Sequence, residues 1–169
     1  MADASLLLAP ALAKEGRAAW EHFNSEAVEA GLSLSAVDSD LTQHVFALSP
    51  FVAQTCIRHP LMAVEMLSSG DLKRAYPLEA FGLRLAALLA EAPEAAIGQE
   101  AWLAWLQKHL RRFRRREMVR IAFRDLAGLS DYHDTVADLS ALADACITIA
   151  VDRLHGLLAS TYGQPGWPR

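Results

Sequence analysis

Residues Gln99 to Ala127 read QEAWLAWLQKHLRRFRRREMVRIAFRDLA, and the rest of the architecture can be built around them. The apolar side chains Trp102, Leu103, Leu106, Leu110, Phe113, Val119 or Met118, and Ile121 recur in steps of three and four. That is the period of a helix that buries one face. Gly128 ends the helix. Ser130 or Asp131 caps a second long helix through about Thr161. Its stripe is Leu139, Leu142, Cys146, Ile149, Val151 or Leu154, and Leu157 or Leu158. Linked by so short a turn, the two predict an antiparallel pair.

On the N-terminal side, prolines and glycines punctuate shorter helices. A helix is expected from about Ser5 to Ala30, with Gly16 as a place to break and Gly31 as its end. Asp38 or Ser39 caps a short helix through Leu48. Ser49-Pro50 reads as N-cap and first helical position, where proline's missing N–H is not needed. That helix carries Phe51, Val52, Cys56 and Ile57, and stops before Pro60. Pro60 opens another through Leu67, closed by Ser68-Ser69-Gly70. Pro77 opens a helix with Leu78, Phe81, Leu85, Leu88 and Leu89 on one stripe, and Pro93 and Gly98 mark the break before Gln99. The expectation is an all-α bundle of about six to eight helices, with the last two long and antiparallel.

Composition agrees. Hydrophobic residues are 53% of the 169 and charged residues 21%, enough apolar surface for a core. Alanine and leucine dominate, while the β-branched residues that sheets favour are sparse. Two cysteines outside any CxxC pair suit a reducing compartment. The apolar run Leu6 to Leu8 has no basic residues before it, unlike a signal peptide. No run is long enough to span a bilayer. These features predict a cytoplasmic location, and no membrane partner.

The net charge is −4, but it is unevenly spread. Eight basic residues lie between Lys108 and Arg124 with Glu117 as the only acid, leaving 8 basic against 19 acidic elsewhere. Arg111, Arg112, Arg114, Arg115, Arg116 and Arg120 are the candidate contacts for phosphate or an acidic partner. On a helix, Arg111 and Arg115 share a side, as do Arg112 and Arg116, and clustered guanidiniums suit phosphates and carboxylates. The plainer reading, favoured by the abundance of acids, is that these arginines pair within the chain. Nucleic acid is not an expected partner, since the domain is not basic overall and carries no recognised motif.

Other candidates are weaker. Asp38-Ser39-Asp40 has the spacing of a metal-binding carboxylate pair but follows no strand, and reads as a helix start. Asp131, His133, Asp134 and Asp138 are metal-capable, yet acids in a first helical turn have an ordinary role. Cys56 and Cys146 read as small buried hydrophobes on apolar stripes. No phosphate-loop, dinucleotide, nucleophile-elbow or zinc pattern is present. No catalytic, cofactor or metal residue is therefore assigned.

Three segments in order carry a resemblance. They are Ser49-Pro50-Phe51-Val52-Ala53 followed by Arg58-His59-Pro60, then LRRFRRREMVRIAFRDLAG from Leu110 to Gly128, then DTVADLSALADACITIAVDRL from Asp134 to Leu154. Together, over roughly Leu41 to Tyr162, they resemble the N-terminal region of the bifunctional glutamine synthetase adenylyltransferase/adenylyl-removing enzymes. The resemblance implies a cytoplasmic nucleotidyltransferase that uses ATP and magnesium. It implies glutamine synthetase, a PII-class signalling protein and the remainder of the enzyme as partners. It also implies that the catalytic Asp-x-Asp lies beyond Arg169. Residues 1–162 would be the helical N-terminal domain of the adenylyl-removing half. Residues 163–169, with two prolines and two glycines, would be a linker toward a nucleotidyltransferase domain. The chain by itself is expected to be inactive. A rival expectation is a stand-alone helical interaction module that binds an acidic partner through its cationic helix.

Overall fold

A computed structural model describes residues 8–91 and 98–163. Among these residues the chain forms seven α-helices and one short 3-10 turn, with no strand. The start of the expected first helix at Ser5, the Leu6–Leu8 run up to Leu7, the Pro93 break and residues 164–169 of the expected linker lie outside the described residues.

Local chemistry sets most helix ends. Helix α1 (Pro10–Glu29) starts on a proline, and Gly31 at φ 73° closes it with hydrogen bonds from Gly31 to Val28 and from Leu32 to Ala27. Only glycine takes that left-handed geometry without strain. Helix α2 (Ser39–Leu48) is capped by Asp38, whose carboxylate accepts from the Leu41 N–H. Helix α3 (Pro50–Arg58) is capped by the Ser49 hydroxyl, which accepts from Val52. His59, forced out of the helical region by the proline after it, separates α3 from α4 (Pro60–Ser68). A 3-10 turn follows at Asp71–Lys73.

Helix α5 (Ala80–Leu88) begins three residues later than expected. The Pro77 carbonyl accepts from Ala80 and forms a turn before the helix. Helix α6 (Gln99–Leu126) is the long cationic helix. Gly128, at φ 65°, ends it, and the Asp131 carboxylate accepts from Asp134 to open α7 (Tyr132–Tyr162). The two long helices run antiparallel. The Thr135 hydroxyl reaches Asp125, and Cys146, equally far again from the turn, feels the charge of Arg114.

The described chain gathers into two compact units. Unit 1 takes the chain up to Ala75 and Arg116–Thr135, and unit 2 takes Tyr76–Arg115 and the chain from Val136. In unit 1, helices α1 to α4 and the 3-10 turn enclose the C-terminal part of α6. Phe23, Val45, Val52, Cys56, Ala63, Met66, Val119 and Phe123 form its core. Phe23 meets Phe46 edge-on at 5.8 Å between ring centroids, a favourable aromatic geometry. Helix α1 is continuous through Gly16, so the expected break does not occur. A Cβ there would lie 2.3 Å from the Gln43 carbonyl oxygen and 2.8 Å from the Ala47 Cβ. The glycine serves close packing of α1 on α2.

Unit 2 buries Phe81, Leu85 and Leu89 beside α5, Leu106 and Phe113 of α6, and Leu142 and Asp138 of α7. Tyr76 stacks edge-on against Phe81 and takes the Arg84 guanidinium over its ring. The expected α7 stripe is only partly interior. Leu142 is buried, whereas Leu139, Val151, Leu154 and Leu158 are exposed.

Candidate functional site

The arginine run divides at Arg115. In unit 1 most of the helix is covered, with Glu117, Val119, Arg120, Ile121, Phe123 and Arg124 all buried. Its arginines there are internal: Arg120 is fully buried, Arg124 nearly so, and Arg116 half-buried. The buried Glu117 carboxylate accepts from Arg116 and, at 2.9 Å, from the Arg120 Nε–H. Arg116 also forms an ion pair with Asp71 on the 3-10 turn. Arg124 donates to the Leu72 carbonyl oxygen and, at 3.0 Å, to that of Leu129. A charge removed from water is tolerated only when paired or hydrogen-bonded in this way. These arginines pin the 3-10 turn and the α6–α7 turn onto the helix. For Arg116 and Arg120, the plainer reading of internal pairing fits, and Arg120 is not a surface contact.

In unit 2 the same helix is amphipathic. Leu106 and Phe113 point inward. At one hundred degrees per residue, Lys108, Arg111, Arg112 and Arg115 line the opposite side at i, i+3, i+4 and i+7. The first three are exposed and Arg115 is half-buried. Arg114 is also exposed but lies away from this stripe, beside Cys146. None of these five forms an ion pair with a described residue. Among the described residues, internal pairing therefore does not account for this half of the run.

The remaining candidates have local roles. Asp38 and Asp131 are helix caps. Among the described residues no three His, Cys, Asp or Glu side chains converge as a metal site. Burial pushes the Cys56 thiol up to about 12, as befits a core residue. Cys146 is only half-buried, short of the interior position expected for it. Burial raises its thiol, and the Arg114 charge partly offsets this.

The signal for the division was present in the sequence. Glu117, the single acid among the basic residues, sits three residues before Arg120, the spacing of an intrahelical pair. Val119, Ile121, Ala122, Phe123 and Leu126 spread over more than half of the helix circumference, wider than the single apolar stripe of a surface helix. The ties to Asp71 and Leu72 had no such signal, being set by tertiary packing.

No helix of the described residues is long and apolar enough to cross a membrane. A family profile described as glutamate-ammonia ligase adenylyltransferase matches residues 40–168. A bifunctional glutamine synthetase adenylyltransferase/adenylyl-removing enzyme of Thioalkalivibrio sulfidiphilus is 37% identical over 145 residues, covering 86% of this chain and 14% of the relative. The protein of the same name from Nitrosococcus oceani is 40% identical over 121 residues, covering 72% of the chain and 12% of the relative. That from Pseudomonas aeruginosa is 36% identical over 124 residues, covering 73% and 12%. The chain thus spans about one-seventh of the length of these curated relatives. No solved structure matches it. On the profile match and these identities, the chain belongs to the glutamate-ammonia ligase adenylyltransferase family.

Proposed function

We propose that this chain serves as the N-terminal helical part of an enzyme that adenylylates and de-adenylylates glutamine synthetase. It scaffolds the adenylyl-removing half and lends that half an anion-binding surface. The supporting observation is the stripe Lys108, Arg111, Arg112 and Arg115, three of its four side chains exposed and the fourth half-buried, with no acid partner among the described residues. Guanidiniums arrayed on a rigid helix hold carboxylates or phosphates through paired, charge-assisted hydrogen bonds. Acidic side chains on glutamine synthetase are the ligand proposed. The remainder of the enzyme and a PII-class protein complete the proposed set of partners, magnesium and ATP belong to the whole enzyme, and the setting is cytoplasmic.

The test is binding of this chain to immobilised glutamine synthetase, followed across ionic strength. Binding should weaken steeply with salt, as screened charge contacts do. Replacing Arg111, Arg112 and Arg115 by alanine should weaken it about tenfold or more with the circular dichroism spectrum unchanged. Equal binding by the folded triple variant would remove the stripe from the proposal. In the enzyme containing this segment, the same variant should raise the KM for adenylylated glutamine synthetase more than it lowers kcat. The chain alone should release no AMP.

A further inference from the structure

Unit 2 carries a second feature, separate from the cationic stripe. The turn before α5, helix α5 and the face of α7 around Ala137–Ile149 border an open groove of about 650 Å³. Its lips are large and apolar: Leu78 is 58% and Leu83 68% exposed. Its floor is made of small residues, with Gly82 on α5 and Ala141 on α7. No Cβ at Gly82 would meet another atom, so a visitor can come close to the backbone. Exposed apolar side chains around a concave, small-residue floor are the form of a helix-binding groove.

Charge identifies the visitor. Among the described residues the groove is lined by two charged ones, Glu79 and Asp144, one on each side, and both are acids. Asp152 adds a third two turns along the same face of α7 from Asp144. None of the three has an ion-pair partner among the described residues. The nearby cations are turned elsewhere: Arg84 lies over Tyr76, and Arg153 falls on the opposite side of α7 from Asp144. An apolar helix ridge without cations would fill the groove but leave the acids uncompensated. One with acidic flanks would be repelled.

We infer that the α5–α7 groove is a docking site for an amphipathic helix whose apolar ridge is flanked by lysine or arginine. The ridge seats between Leu78 and Leu83 over Gly82 and Ala141, and the flanking cations meet Glu79 and Asp144. This inference does not depend on the function proposed above.

The probe is a fluorescein-labelled peptide of about 18 residues, five turns of helix, with leucines on one face and flanking lysines. A twin peptide carries glutamates in place of the lysines. Anisotropy titrations with the full chain should show saturable binding of the lysine peptide and about tenfold weaker binding of the glutamate peptide. Ala141→Trp, which fills the floor, should abolish binding of both. Glu79→Lys/Asp144→Lys, confined to exposed positions, should invert the preference, and this variant decides the matter if Ala141→Trp fails to fold. Equal affinity for the two peptides, or binding unchanged in the charge-reversed variant, would overturn the inference. So would sedimentation showing a dimer of this chain that Asp144→Lys leaves intact while no peptide binds, since a second copy would then be the occupant.

Discussion

At the scale of single residues, the buried Glu117–Arg120 pair separates the two halves of the arginine run. Both side chains are fully buried, so their attraction is little screened, but each has also lost its hydration. Breaking such a pair is worse than never having it, because the survivor remains charged in a dry site. Glu117→Gln keeps the shape and removes the charge. It should destabilise the chain by about 3 kcal/mol, read as a lower urea midpoint with the slope unchanged. The double variant Glu117→Leu/Arg120→Met should recover part of that loss, because it leaves no unpaired charge. Arg111→Ala, by contrast, should move stability by no more than about 0.5 kcal/mol. A loss for Arg111→Ala equal to that for Glu117→Gln would show that the exposed and internal arginines are not energetically distinct.

At the scale of elements, local rules placed the helix ends and tertiary packing placed the burial. Asp38, Ser49, Asp131 and Gly128 act within a few residues of themselves, so their roles were legible as spacing alone. Gly16 was not. A glycine inside a helix reads as a weak point, and nothing local says that another helix lies against it. The close approach of Gln43 and Ala47 supplies the reason. Gly16→Ala raises helix propensity by about 1 kcal/mol, yet its methyl must displace backbone as well as side chain. Overpacking of that kind costs roughly 1–3 kcal/mol. The net expectation is a lower melting temperature, measured by thermal circular dichroism, despite the better helix former. A rise in melting temperature would mean that α1 and α2 separate readily. The stripe of α7 misled for a related reason. Periodicity marks a side fit for burial, but Leu139, Val151 and Leu154 remain exposed. Whether a partner covers such a side is not written in the helix itself.

At the scale of the whole molecule, charge segregation outweighs net charge. The chain carries −4 overall, which by itself predicts repulsion from a polyanion. The structure withdraws Arg116, Arg120 and Arg124 into the interior, and gathers Lys108, Arg111, Arg112 and Arg115 on one exposed side of α6. A surface responds to the local field within about a Debye length, near 10 Å at 0.1 M salt, and within that range the stripe is strongly positive. The chain should therefore be held on a sulfonate cation exchanger at pH 7.5, above its pI of about 5.8, at low salt, and should elute at moderate salt. Arg111→Ala/Arg112→Ala/Arg115→Ala should flow through. Lys14→Ala/Lys73→Ala, which removes two cations remote in sequence from the stripe, should still be retained. Retention by the triple variant would mean that cations other than the stripe dominate the field. Flow-through of the unmodified chain would mean that the surrounding acids cancel it, and the anion-binding surface proposed for this segment would lose its physical basis.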